Sequence, residues 1–406
     1  MHYQQATLPN GLRIIHMPVT GPVSYCGFAV NTGSRDEIPL QEGMAHFVEH
    51  MIFKGTPKRR SWHILNRMES VGGELNAYTS KEETFVYSVF MEEHFGRACE
   101  LICDLIQHSL FPQQEIDKET DVILDEINSY KDNPPELIYD EFENLLFANH
   151  PLGHNILGEE ATLETFSPEM GQEFMARWYR PENMVFFSVG KTDFKKVVSA
   201  VSKFYTPGDI NWQGNHRIAP KENGPAFLKE EKDTHQAHVL IGGRAYHMFD
   251  EQRSTLALLN NMLGGPGMNS RLNLSLREKR GYVYNVESVY TPYSDTGVFS
   301  VYFGSDQKKA EKCIALIHQE MKKLRDNALT SSQLEAAKRQ IRGQIGISAD
   351  NKESTAMGMA KSFLYYNRYD STEDAFAKIE KITSSDILKA ANEILDESKL
   401  STLIYV

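Results

Sequence analysis

The sequence predicts an α+β fold of two homologous domains, each a mixed, mostly antiparallel sheet with helices packed on one face. Three observations carry that prediction. At 406 residues the chain exceeds what one hydrophobic core usually serves, so two domains are expected. Alternating, β-branched runs are interleaved with runs of helical period, the pattern of sheets that carry helices. The order of these runs then repeats at an offset of about 210 residues, so that Phe85-Val86-Tyr87-Ser88-Val89-Phe90 and Val298-Phe299-Ser300-Val301-Tyr302-Phe303 look alike.

In chain order, alternation predicts strands over 12–18 and 24–31, then a loop to residue 39. A helix follows over 41–53, closed by Gly55-Thr56-Pro57, and Ser61 caps a second helix that ends at Gly72-Gly73. Strands over 74–79 and 84–91 precede a long amphipathic helix over 92–110. Pro112 interrupts, and helices are expected over 114–131, 135–149, 168–178 and 194–204, with a strand over 184–189. The Pro-, Gly- and Asn-rich stretch 208–224 reads as a linker between domains 1–207 and 225–406. The second half repeats the plan with helices over 250–263 and 270–279, strands over 282–290 and 296–303, and a helix over 307–327. Only the first copy carries histidines on its leading helix; the second has Leu258-Leu259-Asn260-Asn261-Met262 in that place.

Bulk properties narrow the function classes. A net charge of −12 argues against a nucleic-acid partner, which calls for a basic surface. Four cysteines without a CxxC pair exclude a disulfide framework and a thiolate zinc site; Cys99 and Cys103, four apart on one helix, are expected in the core. No apolar run approaches the length of a membrane span, and Met1 to Gln5 lack the character of a secretory signal, so a cytoplasmic, bacterial-type protein is expected.

The chemistry lies in His46-Phe47-Val48-Glu49-His50. Residues four apart on a helix share a face, so His46 and His50 can offer two imidazoles to one ion. Glu49 lies one residue off that register, which suits a carboxylate acting on water rather than on the metal. Catalytic zinc sites use three protein ligands. Glu119 and Glu126, seven apart on an acidic helix, share a face and are the candidates. From spacing alone either can bind the ion while the other steadies a ligand histidine.

The inverted order His-x-x-Glu-His resembles the pitrilysin/insulysin family of zinc peptidases. Glu126, 76 residues after His50, and Glu119, seven before it, fall where that family has its third ligand and a supporting glutamate. Gly33-Ser34-Arg35-Asp36-Glu37, Phe53-Lys54-Gly55-Thr56, Leu75-Asn76-Ala77-Tyr78-Thr79 and Leu276-Arg277-Glu278-Lys279-Arg280-Gly281-Tyr282-Val283-Tyr284 look familial too. The length matches the half-size members, similar to mitochondrial processing peptidase subunits. The resemblance implies one Zn2+ per chain on His46, His50 and Glu126, with Glu119 behind a ligand and Glu49 as general base. It implies that Arg277 and Tyr284 contact substrate, and that two copies close like a clamshell with each active site completed in trans. Asn76 and Ala77 are candidates for binding an extended peptide along a sheet edge. The expected activity is endopeptidase cleavage of unfolded peptides; the alternative is a catalytically silent scaffold or partner subunit of the same fold.

Overall fold

The computed structural model describes residues 3–206, 212, 214–232 and 234–406. The first sheet has six strands in the order Gln4–Thr7, Arg13–Pro18, Met184–Gly190, Val23–Val30, Thr84–Met91, Glu74–Thr79. All neighbours are antiparallel except Arg13–Pro18 beside Met184–Gly190. The strand Glu74–Thr79 is therefore an edge, bonded to Thr84–Met91 on one side.

The second sheet has five strands in the order Val283–Pro292, Gly297–Ser305, Ala237–Ala245, Ser401–Tyr405, Phe227–Glu230. Their pairings run antiparallel three times and then parallel. Read from the Glu74–Thr79 edge, the first sheet has the same sequence of senses, with one added strand at its far side. The match extends to single residues. A Cβ at Gly27 would stand 2.4 Å from the Val86 carbonyl oxygen, and one at Gly242 would stand 2.1 Å from that of Phe299. Both copies thus keep a glycine in the third strand where the neighbouring backbone leaves no room. The expected duplication is a property of the topology.

Consecutive strand residues point to opposite faces, and in the first sheet both faces are dry. Ile14, Cys26, Phe28, Val86 and Phe186 face the helices Met44–Met51 and Phe95–His108 through Phe47, Val48, Ile102 and Leu105. Ile15, Ala29, Phe85, Val185 and Phe187 face the other way, onto Ala356, Met359, Ala360 and Phe363 of the helix Lys352–Tyr366. In the second sheet Leu240, Tyr302, Leu403 and Tyr405 pack on Ile138, Phe142 and Leu146 of the helix Pro134–Leu146. The main helices lie on one face as expected, and each sheet carries a further helix on the other.

Those two covering helices explain why the compact units are not continuous stretches. One unit comprises Met1–Ile127, His154–Arg217 and Ser348–Ser371; the other comprises Asn128–Gly153, Ile218–Ile347 and Thr372–Val406. Each half of the sequence lends one helix to the sheet of the other half, whereas cuts at 207 and 225 assume continuous domains. Of the expected linker, 208–211 and 213 lie outside the described residues. The part from Gly214 to Gly224 forms no helix or strand, and Arg217 is anchored in the first unit by a two-nitrogen grip on Asp36, at 2.7 and 2.9 Å. Among the described residues no helix is long and apolar enough to cross a membrane. The four cysteines are free and buried.

Candidate metal centre

The helix that carries the motif is short, Met44–Met51, because both of its ends are fixed by other parts of the fold. Gly43 at φ 94° precedes it, and a Cβ there would meet the Leu157 carbonyl oxygen at 2.7 Å. Only glycine suits that backbone and that gap. The two oxygens of Glu37 accept from Gly43 N at 2.9 Å and Ala45 N at 2.8 Å, satisfying amides that a helix start leaves open. Burial pushes the Glu37 carboxyl up, and these two amides oppose the shift. Met44, Ala45, Phe47, Val48 and Met51 are buried, so the helix has one rotational setting. That setting turns His46, Glu49 and His50 toward the acidic helix Gln113–Lys131 and the edge strand.

The acidic helix packs through Ile116, Ile123 and Ile127, and Glu119 lies on that same buried stripe at 8% exposure. Glu126 sits just off it, in contact with solvent. The two glutamates thus take different places. Glu126 Oε2 stands 3.7 Å from His46 Nε2 and 3.6 Å from His50 Nε2. Glu119 Oε2 stands 3.1 Å from His50 Nδ1, and its Oε1 meets Lys54 Nζ.

His46, His50 and Glu126 are the cluster of donor groups suited to a metal among the described residues, with their ligand atoms within 4.8 Å of one another. A tetrahedral ion with arms of about 2.0–2.1 Å separates its ligands by about 3.3 Å, so the 3.7 and 3.6 Å separations from Glu126 to the two histidines need only a small contraction. The donor set of two imidazoles and one carboxylate, with a fourth direction left open, fits zinc. Burial, aided by the neighbouring His50, lowers the His46 pKa to about 3, so at neutral pH this imidazole carries a free lone pair. Its Nδ1 is buried without a hydrogen-bond partner, whereas the Nδ1 of His50 has Glu119. The supporting contact therefore falls on one of the two histidines. His63, His94, His108, His150 and His154 do not join the cluster.

Glu49 is half-buried beside the cluster. Burial raises its pKa, Thr79 and His50 pull it back, and Glu126 raises it further. Thr79 is the last residue of the edge strand Glu74–Thr79, so the free edge runs to the carboxylate. Asn76 and Ala77 lie on that strand, paired with Tyr87 and Val86. Thr79, Lys54 and Glu37 join the site without being among the residues expected there. Lys54 had a readable signal, since it lies four after His50; the other two are brought in by non-local packing.

Arg277 and Tyr284 belong to the other compact unit and meet there, with the guanidinium carbon 5.8 Å from the tyrosine ring centre. Both stand on irregular backbone. Arg277 lies in a π-helical turn, Asn273–Glu278, where an α-helix over 270–279 is expected. Tyr284 lies in a bulge, since the strand slips register against its neighbour between Val283 and Val286. The bulge turns Tyr284 outward, leaving it 83% exposed. Arg277 also lines a cleft of about 370 Å³ with Asn260, Asn261, Asn285 and Glu287.

Comparison with known proteins agrees with this architecture. Residues 14–160 match the model of the insulinase family, peptidase family M16, and residues 165–341 match that of the peptidase M16 inactive domain. A protein of Rickettsia bellii named an uncharacterized zinc protease is 33% identical over 99% of this chain and 97% of its own length. One of Bacillus subtilis with the same description is 30% identical over 98% of this chain and 97% of its own. Among solved structures, a protease from Helicobacter pylori superposes with a TM-score of 0.93 at 22% identity, covering 100% of this chain and 99% of that one. The half-size length expected from the sequence is thus shared with these proteins, and the chain belongs to the insulinase family, peptidase family M16.

Proposed function

We propose that the protein is a zinc-dependent endopeptidase acting on unfolded peptides. The observation that carries this reading is the convergence of His46 Nε2, His50 Nε2 and Glu126 Oε2 with Glu49 alongside. His46, His50 and Glu126 would hold one zinc ion per chain, which supplies Lewis acidity toward the scissile carbonyl and a water. Glu49 accepts the proton of the attacking water and returns it to the leaving amine. Its half-buried setting, with a raised pKa, suits a group that must both take and release a proton. Glu119 holds His50 through Nδ1, leaving the Nε2 lone pair for the metal.

An extended peptide adds to the free edge of Glu74–Thr79 beside Asn76 and Ala77, main chain to main chain, which accepts many sequences. Arg277 pairs with a substrate carbonyl, and the Tyr284 hydroxyl donates to the developing oxyanion. The family resemblance supports a homodimer in which each copy completes the other's site, Arg277 and Tyr284 coming from the partner. The compartment is the cytoplasm. The match to an inactive domain concerns residues 165–341, which exclude all three ligands and Glu49, so it does not count against catalysis.

The test incubates the pure protein with a quenched, unstructured peptide, with and without chelator, and measures its mass by sedimentation. Cleavage lost to chelator and restored by zinc, from a dimer, is the expected result. Cleavage indifferent to chelator rejects the zinc mechanism, absence of cleavage by zinc-loaded protein supports a scaffold role, and a monomer removes the shared site.

A further inference from the structure

Lys54 sits one turn beyond the motif helix, in a segment whose backbone is tied down. Lys54 N donates to Met51 O at 2.9 Å, Leu110 N donates to Gly55 O at 2.8 Å, and the Ser109 hydroxyl donates to Ile52 O at 3.0 Å. From this fixed base its ammonium reaches Glu119 Oε1, while Glu119 Oε2 stands 3.1 Å from His50 Nδ1. The lysine side chain is 21% exposed and that of Glu119 11%, so this pair is shielded as a surface ion pair is not.

We propose that Lys54 is a positioning residue for the metal centre, acting through Glu119. A carboxylate with one oxygen on a histidine and the other free can swing about its terminal torsion, which is broad. Lys54 occupies the second oxygen and fixes the plane of the carboxylate, and with it the plane of the His50 ring. The contact has a second consequence. Glu119 and Glu126 are seven residues apart on one helix, so the contact also ties the stretch that carries Glu126 to the end of the motif helix. One ammonium thereby orients one ligand and adds a tie between the helices that carry the others. The isoleucines of the acidic helix fix its packing against the core, but they leave the carboxylate torsions free.

This inference rests on His46, His50 and Glu126 being the zinc ligands, and the experiment separates the two. Zinc affinity is measured by competition with a chromogenic chelator, without any activity assay, for the wild type, Lys54→Met, Lys54→Arg, Glu119→Gln and the Lys54→Met/Glu119→Gln double variant. Loss of an outer contact to a ligand typically costs about 10–100-fold in metal affinity, and that is the loss expected for Lys54→Met. Lys54→Arg keeps the charge and recovers most of the affinity. The double variant binds no more weakly than Glu119→Gln alone, because Lys54 acts through that carboxylate. Circular dichroism checks the fold, and Lys54→Gln replaces the Met variant if that one misfolds. One equivalent of zinc on the wild type with undiminished affinity in Lys54→Met overturns the role of Lys54 and leaves the ligand set standing. Additive losses in the double variant also overturn it, and a wild type that binds no zinc overturns both.

Discussion

Glu119 Oε2 lies 3.1 Å from His50 Nδ1, on the side of the ring away from Glu126. The contact calls for the proton on Nδ1, which leaves the Nε2 lone pair free for the proposed zinc ion. Replacing Glu119 with Gln weakens zinc binding by about 10–100-fold while leaving the ligand atoms in place. Equilibrium dialysis against a zinc buffer measures this directly, and an unchanged affinity contradicts the assigned role.

The depressed pKa of His46 ties metal-free stability to acid. In the unfolded chain this imidazole takes a proton near the ordinary histidine value, about 6.5, whereas the folded state resists until about 3. Between these limits the unfolded state binds more protons, so the stability owed to neutral His46 is full above about 6.5 and falls as pH drops toward 3. Melting curves of chelator-treated protein at pH 7 and pH 4.5 should show a fall that is smaller in His46→Gln. Equal falls in both proteins reject the link.

The helix Lys352–Tyr366 belongs to the core of the first sheet despite its place in the second half of the sequence. Phe363 is 2% exposed there, and truncating it to Ala costs about 3–5 kcal/mol. Hydrogen exchange locates the damage. Faster exchange is expected in Val23–Val30 and Met184–Gly190, with the strand Ala237–Ala245 spared. The reverse pattern contradicts the assignment of this helix.

Gly43 to Ala places a Cβ against the Leu157 carbonyl at a φ of 94°. Backbone strain of this kind costs on the order of 1–3 kcal/mol. Because Gly43 N is one of the two amides held by Glu37, the change should also displace the start of the motif helix and weaken zinc binding. A denaturant titration and a zinc titration on the same sample test both parts.

Features that depend on local spacing were legible in the sequence. His46, Glu49 and His50 occupy one side of one helix, and the seven-residue step from Glu119 to Glu126 keeps both near one face. Spacing did not say which glutamate meets the histidines' Nε2 atoms, since that turns on which one lies on the Ile116–Ile123–Ile127 stripe. The exchange of covering helices was not legible. An apolar helix face shows that it will be buried but not on which sheet, and Met359 and Phe363 find theirs more than 150 residues back in the chain. The run Met184-Val185-Phe186-Phe187 did hold a hint, because a strand apolar on both sides must be covered on both. Past residue 327 no element is expected from the pattern, although helices and the strand Ser401–Tyr405 complete the second unit.

Zinc-dependent catalysis through Glu49 is decided by the rate at which zinc-loaded Glu49→Gln cleaves an unstructured peptide, relative to the wild type at equal zinc content. With His46, His50 and Glu126 intact and the proton acceptor gone, one zinc per chain and a rate at least about 10²-fold lower are expected. Cleavage at the wild-type rate by a variant that holds its zinc would contradict it.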